Sequence, residues 1–244
     1  MAVDHLLAFD REAARFAEVL ATADLGTTVP ACPDWDVRGL AVHLGGVYDL
    51  FRQVVAKRFT EREQIRDVVR DAPTEGDAAL RPWFADMVTG LRGALTDLDP
   101  DEPVWNFSTA PHVGAWVPRR MLHETLVHRC DLEAAVGVER APTPEDVLVD
   151  GVDEFFTSIA SAGQRWDGDE SVILRAVVGD RSWAIRVVPG ERAEVDVEAA
   201  PADVVIAGEA GEVLDAVWGR GPVDRLVTIG SSERAGAILG AVGR

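Results

Sequence analysis

Near the middle of the chain lies the run His123-Glu124-Thr125-Leu126-Val127-His128-Arg129-Cys130-Asp131, inside a longer segment that extends from Trp116 to Val136. Apolar residues recur through this segment at helical spacing and nothing interrupts it before Gly137, so the pattern predicts one helix. At roughly 100° per residue, Glu124 and His128 lie about 40° apart on one face of that helix. A carboxylate and an imidazole arranged in this way are two of the three protein ligands that an open metal site needs.

The same pair also has an ordinary interpretation. A Glu and a His four residues apart are usually a solvated pair or a contact within one helix. The flanking residues are apolar, however, so this helix packs, and its polar face must either meet water or be satisfied inside the protein. His123 lies about 140° from His128 on the helix and is interpreted as a packing, surface or supporting residue. A third ligand would have to come from elsewhere in a chain with five histidines.

The composition restricts the compartment and the partners. The 244 residues carry a formal net charge of −18, so the surface should repel nucleic acid and anionic membranes. No segment approaches the ~20 apolar residues of a membrane span, and the first residues lack the features of a secretory signal. Two cysteines, Cys32 and Cys130, cannot form a disulfide framework. We therefore expect a cytoplasmic monomer or homodimer whose partners are small molecules, with no nucleic acid and no membrane.

Three further helical patterns precede the segment from Trp116. They cover residues 4–21, 37–55 and 77–98, and each carries an apolar stripe at helical intervals. Four helices with short to moderate connections predict a four-helix bundle, a fold that builds metal sites in its interior from facing helices.

His43 occupies an ambiguous position in the second of these helices. It lies on or beside the apolar stripe, where a histidine is more often hydrogen-bonded than a metal ligand. Gly45 and Gly46 follow it, and each costs about 1 kcal/mol in a helix interior. Close approach of a neighbouring helix or of a small ligand is therefore expected at this point.

After Gly137 the pattern changes from helical to mixed. A stiff linker at residues 141–144 precedes a helical pattern at 145–162. Alternating or β-branched runs and further helical patterns follow, with strands predicted at 172–178, 183–188, 194–199, 204–207 and 226–229 and helices at 210–218 and 232–239. We therefore predict two domains, a helical domain at 1–140 and a smaller α+β domain with a mainly antiparallel sheet at 141–244.

Two motifs and the α+β region together resemble a known family. The first motif is Val29-Pro30-Ala31-Cys32-Pro33-Asp34-Trp35-Asp36-Val37-Arg38-Gly39-Leu40-Ala41-Val42-His43-Leu44-Gly45-Gly46, and the second is Arg119-Arg120-Met121-Leu122-His123-Glu124-Thr125-Leu126-Val127-His128-Arg129-Cys130-Asp131. Over nearly its whole length the chain resembles the mycothiol-dependent maleylpyruvate isomerase family. That resemblance implies an N-terminal metal-binding helical bundle of the DinB type and a C-terminal domain similar to sterol-carrier-protein folds.

The resemblance also implies a ligand set. In that family a divalent metal, usually zinc, is held by one His of the second helix and by a Glu and a His of the fourth, and these positions match His43, Glu124 and His128. Two imidazoles, one carboxylate and an exchangeable water form a catalytic rather than a structural zinc site. The chain departs from the family pattern at Cys130, where a larger aromatic residue is expected.

The implied cosubstrate is mycothiol, whose thiolate an open zinc position would stabilise. In the implied isomerase reaction the thiolate adds to the electron-poor double bond of an enone diacid, the resulting single bond rotates, and elimination returns the trans isomer and the thiol. Because this substrate is a dianion, Arg120 and Arg220 are candidates for catalytic roles, Arg120 as a carboxylate-binding or supporting group beside Glu124. Both are equally compatible with surface arginines. Asp131 would orient a metal-bound His or an arginine, or be a surface carboxylate.

Three functions are compatible with these residues. The first is a thiol-dependent metalloenzyme, either the isomerase itself or a thiol S-transferase, because the metal site determines the nucleophile and not the electrophile. The second is a non-catalytic metal-containing module that binds a ligand or regulates, which a fully buried metal with no room for a thiol would favour. The third is a zinc hydrolase, which needs a general base beside the open position.

Overall fold

The structure, a computed structural model of the chain, describes residues 3–68, 72–73, 77–195, 197 and 201–243. The described residues form two compact units. One unit contains the described residues up to Asn106 together with Pro111–Pro142, and the other contains Phe107–Ala110 together with the described residues from Thr143 onward. No helix in this described part of the chain has both the length and the apolar character needed to cross a membrane.

The first unit is a helical bundle. Among the described residues it contains four α-helices, namely α1 (His5–Thr22), α2 (Val37–Ala56), α3 (Asp77–Thr96) and α4 (Trp116–Val136). A small hairpin of β1 (Thr28–Val29) and β2 (Cys32–Asp36) connects α1 to α2. The predicted four-helix bundle is confirmed, and each helix boundary lies within two residues of its predicted position.

The direction of each helix follows from the order of its contacts. Between α1 and α4, and between α2 and α3, residue numbers increase in the same direction from one contact to the next, so the helices of each pair are parallel. Between α1 and α3 they increase in opposite directions, so these two helices are antiparallel. The contacts are Glu12–Arg129 and Arg15–Glu133, then Gly45–Trp83 and Gly90–Arg52, then Asp10–Arg92 and Phe16–Phe84. The helices α1 and α4 therefore run one way and α2 and α3 the other, so the bundle is of the type with one crossover connection.

A close helix–helix contact accounts for the glycine next to the ambiguous histidine. A Cβ atom added at Gly45 would lie 2.5 Å from two ring atoms of Trp83 on α3. The expected close approach of a neighbouring helix is therefore confirmed at this position. The next residue, Gly46, is also buried.

The second unit is an α+β structure. Its strands are β3 (Val172–Val178), β4 (Arg181–Val187), β5 (Val204–Ala207) and β6 (Val227–Ile229), in the order β4-β3-β5-β6. Two of the three pairings are antiparallel and β3 pairs with β5 in parallel, so the prediction of a mainly antiparallel sheet is confirmed. Its helices are α5 (Glu145–Glu154), α6 (Ala210–Val217) and α7 (Ser232–Val242).

The structure departs from the predicted elements in two places. The helix predicted at 145–162 keeps its α geometry only to Glu154, after which a π-helical turn covers Phe155–Ile159 and a 3-10 turn covers Ala160–Ala162. A π-helical turn is wider and a 3-10 turn tighter than an α-helical turn, but apolar residues continue through both, so the sequence pattern does not reveal them. Of the strand predicted at 194–199, Glu194 forms an isolated bridge with Arg186, while residues 196 and 198–199 lie outside the described residues.

Candidate metal centre

Two antiparallel helices bring three candidate ligands to one point. The Nε2 atom of His43 on α2 lies 3.0 Å from Oε1 of Glu124 on α4. The Nε2 atom of His128, one turn further along α4, lies 3.4 Å from the same oxygen. One ligand atom from each of the three residues lies within 4.8 Å of the other two. The structure therefore brings together the three residues that the family resemblance selects.

The spacing of these atoms fits a bound divalent metal. Zinc–nitrogen and zinc–oxygen bonds of about 2.0–2.2 Å in a tetrahedral site separate neighbouring ligand atoms by roughly 3.3–3.6 Å. The separations of 3.0 and 3.4 Å lie within a few tenths of an ångström of that range. Two neutral imidazole nitrogens and one carboxylate oxygen are also the donor types that zinc accepts in sites with an exchangeable position.

A second layer of side chains holds the ligands in orientation. The Nδ1 atom of His128 lies 3.0 Å from Oδ2 of Asp131, and a carboxylate at that nitrogen fixes the tautomer that leaves Nε2 free to bind a metal. Nη2 of Arg120 donates to Oε2 of Glu124 at 3.1 Å, so Oε1 is the oxygen that faces the histidines. Arg120 and Asp131 are each only 2% exposed. The interpretation of either residue as a surface group is therefore wrong.

A buried hydrogen-bond chain connects α2 to α4 beside the ligands. The Oγ1 atom of Thr125 lies 2.5 Å from the carbonyl oxygen of Met121 and 2.7 Å from the hydroxyl oxygen of Tyr48. Because a carbonyl can only accept, Thr125 donates its single hydroxyl proton to Met121 and must accept from Tyr48. Burial raises the pKa of Tyr48, which keeps its hydroxyl protonated as this donor. The contact fixes the register of the two helices at the level of Glu124.

The electrostatics of the cluster favour an ionised carboxylate. Burial by itself would raise the pKa of Glu124, but hydrogen bonds from His128 and His43 and the positive charges of His128 and Arg120 outweigh it and hold that pKa well below its usual value. Burial likewise lowers the pKa of His128, but hydrogen bonds to Asp131 and Glu124 outweigh it and raise the pKa to about 9. In the metal-free chain His128 is therefore an imidazolium at neutral pH, and a metal ion would replace its proton on Nε2.

Solvent reaches the cluster from one side. The exposed fraction of the side chains increases steadily across the site, with 1% at Asp131, 2% at Arg120, 9% at His128, 19% at Glu124 and 34% at His43. The opening is therefore on the α2 side. Trp35 of β2 lies on this side, with its ring centroid 4.7 Å from that of His43 and 6.1 Å from that of His128.

Trp35 is the one residue described at this site that the sequence pattern did not identify as a candidate. It follows two prolines in a connecting loop, where an aromatic residue has no periodic pattern to mark it. Gly39 does not mark the indole either, because a Cβ atom there would lie 3.6 Å from Cβ of Trp35, an ordinary van der Waals distance.

The other residues considered from the sequence have different positions. His123 is 1% exposed, so the surface interpretation of this residue is wrong. Cys130 is half-buried on α4. Arg220 belongs to the C-terminal unit, where it follows α6 and its Nη1 donates to the carbonyl oxygen of Trp218 at 2.6 Å. Its catalytic role stays a prediction.

A sequence profile identifies the family, and two solved structures share the fold. A sequence profile described as the mycothiol maleylpyruvate isomerase N-terminal domain matches residues 6–133. No curated protein matches the chain. Among solved structures, the crystal structure of a histidine-to-alanine mutant of the mycothiol-dependent maleylpyruvate isomerase is similar with a TM-score of 0.61 at 15% identity, and the crystal structure of the same isomerase without that mutation with a TM-score of 0.59 at 16% identity. Each comparison covers 92% of this chain and 91% of the other, and at these identities the likeness shows a shared fold.

Proposed function

Because the chain belongs to the mycothiol maleylpyruvate isomerase family through its N-terminal domain, we propose that it is a metal-dependent enzyme that activates a thiol for addition to an electrophilic small molecule. The proposed metal is zinc or another divalent ion, and the proposed cosubstrate is mycothiol. The proposed reaction is a cis–trans isomerisation of the maleylpyruvate type or a thiol S-transfer. The observation that carries this proposal is the convergence of His43, Glu124 and His128 in a cluster open on one side.

The proposed division of roles follows from the contacts of the three ligand residues. His43 and His128 would bind the metal through Nε2 and Glu124 through Oε1, the three atoms that face one another. A divalent metal bound there supplies a lowered thiol pKa, so that the reactive thiolate forms near neutral pH. The chain itself supplies the geometry and keeps the carboxylate of Glu124 ionised, whereas His128 would give up its Nε2 proton when the metal binds.

The supporting residues would act through the ligands. Asp131 accepts from Nδ1 of His128, which keeps the lone pair of Nε2 directed toward the cluster. Arg120 is almost fully buried and donates to Glu124, which supports a positioning role for this arginine rather than direct contact with a substrate. We propose Arg220 as the catalytic arginine that binds a carboxylate of an anionic substrate, because a chain of net charge −18 needs a local cation for such a substrate.

The exposure of the cluster distinguishes this proposal from its rivals. A purely structural or regulatory metal is expected in a closed site. In this cluster 34% of the His43 side chain is exposed, which supports the proposal that a thiol can reach the metal. A zinc hydrolase would need a general base beside the open position. The two carboxylates described at the cluster have other roles. Glu124 would bind the metal, and Asp131 is hydrogen-bonded to His128.

The remaining assignments also belong to this proposal. We propose that residues 1–140 form the metal-binding domain and residues 141–244 the C-terminal domain, in a cytoplasmic monomer or homodimer. The partners would be a low-molecular-weight thiol and a small electrophile, and the acidic charge supports the expectation that nucleic acid is not a partner.

Metal analysis combined with calorimetric titration tests the proposal directly. Wild-type protein is expected to retain about one zinc ion per chain after purification in zinc and to bind mycothiol only in the zinc-loaded form. His43→Ala should lose the metal and the thiol binding together. His112→Ala is the matched control, because His112 is an exposed histidine of the same unit and should change neither. Full zinc content in His43→Ala would remove His43 from the site, and thiol binding without metal would contradict the mechanism.

A further inference from the structure

We infer that Trp35 is the wall of the cluster against which a flat, conjugated electrophile stacks, so that the site prefers planar unsaturated ligands over saturated ligands of the same charge. The inference rests on the proposed function, because it assigns a class of substrate to the same site. It depends on the position of the indole ring, on the anchoring of the backbone beside it, and on the shape of the ligands that can approach it.

The indole lies at the open side of the cluster. Its ring centroid is 4.7 Å from that of His43, with an angle of 36° between the ring planes, and 6.1 Å from that of His128. The two imidazoles are themselves 4.9 Å apart and almost perpendicular, at 78°. Glu124 and His128 are more deeply buried than His43, so a molecule that reaches the three ligand atoms from solvent arrives on the side where Trp35 lies.

The backbone beside the ring is anchored in the small hairpin and at the start of α2. The following residue, Asp36, pairs with Thr28 in the small hairpin and accepts a hydrogen bond at 2.7 Å from the backbone N–H of Gly39, which caps α2. A Cβ atom on Gly39 would lie 3.6 Å and 3.7 Å from Cβ and Cγ of Trp35. The base of the indole therefore lies at ordinary van der Waals distance from the first turn of α2, one helical turn before His43.

A half-buried indole discriminates ligands by shape. An aromatic face stacks best on another flat π-system placed parallel to it at an offset. A double bond conjugated with carbonyl groups is flat in this sense, and it is the group to which a thiolate adds in the proposed reaction. A saturated chain presents tetrahedral carbons and contacts only part of the ring. Trp35 would thus be a specificity-determining residue for conjugated electrophiles.

Fumarate and succinate provide a matched pair of probes, because both are four-carbon dianions and only fumarate is flat. Zinc-loaded wild-type protein should bind fumarate more tightly than succinate in calorimetric titrations. The ratio of the two affinities should fall about 3- to 10-fold in Trp35→Leu and less in Trp35→Phe, which keeps an aromatic face. Trp105→Leu is the control, because Trp105 stacks on Phe51, two helical turns after His43, and should leave the ratio unchanged.

The zinc content of each variant is measured alongside the affinities. An unchanged fumarate-to-succinate ratio in Trp35→Leu with full zinc content would overturn the inference, as would a wild-type protein that binds neither dianion. Loss of zinc from both Trp35 variants would mean that Trp35 holds His43 in position for metal binding, and this result would also overturn the inference. The proposed function is judged separately by thiol addition to maleylpyruvate in the wild type. Turnover of maleylpyruvate without Trp35-dependent selectivity contradicts only the inference, and selectivity without turnover contradicts only the isomerase form of the proposed function.

Discussion

At the scale of single residues, the contact between His128 and Asp131 has the most direct consequence. The carboxylate of Asp131 is buried, with Oδ2 3.0 Å from Nδ1 of His128. Replacing it by an amide of the same size removes the negative charge and offers an N–H group where an acceptor is needed. We therefore expect Asp131→Asn to lower zinc affinity about 10- to 100-fold.

A competition titration with a chromophoric chelator measures this affinity. Asp86→Asn serves as the control, because Asp86 is an exposed carboxylate on α3 of the same unit. Equal zinc affinities for wild type and Asp131→Asn would mean that His128 needs no orienting carboxylate.

Because His128 is protonated at neutral pH, we expect the stability of the metal-free protein to depend on pH. Hydrogen bonds to Asp131 and Glu124 overcome the effect of burial and raise its folded-state pKa to about 9, above the unfolded value near 6.5. A raised pKa stabilises the folded state fully below pH ~6.5, and this stabilisation is lost as the pH rises through about 9. We expect the free energy of unfolding to fall by about 3 kcal/mol across this interval.

Denaturant unfolding of the metal-free protein at pH 6, 8 and 9.5 tests the sign. The decrease should disappear in His128→Gln, which cannot be protonated. The apparent zinc affinity should change in the opposite sense and increase toward pH 9, because the metal must displace the proton on Nε2. A metal-free stability that increases with pH over this interval would contradict an imidazolium at position 128.

At the scale of secondary-structure elements, the contact between α2 and α3 depends on the absence of one side chain. A Cβ atom at Gly45 would lie 2.5 Å from atoms of the Trp83 ring. Gly45→Ala should therefore destabilise the protein by about 1–3 kcal/mol through overpacking, although alanine is the better helix former. His43 lies two residues away, so a shift of α2 should weaken zinc binding as well.

Gly93→Ala is the natural comparison on α3. No heavy atom lies within 4 Å of a Cβ built at Gly93, so this substitution adds helix propensity without a clash. It should stabilise the protein by about 0.5–1 kcal/mol. Thermal unfolding of the two variants separates the effect of overpacking from the effect of helix propensity. Equal changes of the unfolding midpoint Tm in the same direction would refute the packing argument.

At the scale of the whole helical unit, a buried ion network joins α1, α4 and the segment that follows α4. Arg129 donates to Glu12 at 2.8 Å, to Glu133 at 2.6 Å and to the carbonyl oxygen of Ala141 at 3.0 Å. Its side chain is 1% exposed. Arg129→Met would leave two buried carboxylates without this cation, and we expect a loss of about 3–5 kcal/mol in the free energy of unfolding.

A surface pair in the same unit provides the comparison. Arg92 and Asp10 connect α1 to α3, but their side chains are 36% and 38% exposed, so Arg92→Met should cost less than about 1 kcal/mol. Urea unfolding of both variants measures the difference. Folded Arg129→Met should still bind zinc at saturating metal, since Arg129 contacts none of the three ligand residues in these hydrogen bonds. Similar losses for the two variants would show that burial of the network is unimportant.

The sequence by itself determined the secondary structure of the bundle and the three candidate ligands, Glu124 and His128 by helical periodicity and His43 only through the resemblance of the first motif to the family. Helical periodicity is a local property, so the four helices and the common face of Glu124 and His128 could be predicted within two residues. The two motifs also predicted the family, which is confirmed. Local periodicity did not reveal the π-helical turn at Phe155–Ile159, because such a turn adds one residue without changing the apolar character of the segment.

Only the tertiary structure decided which distant side chains meet. The position of His43 opposite Glu124, the burial of Arg120 and Asp131 and the location of Trp35 all depend on the direction and register of α2 against α4. These are set by contacts between residues far apart in the chain, such as the 2.7 Å hydrogen bond between Tyr48 and Thr125. Periodicity gives the face on which a residue lies but not the partner across from it, because the partner is chosen by packing between helices rather than by neighbours in the sequence.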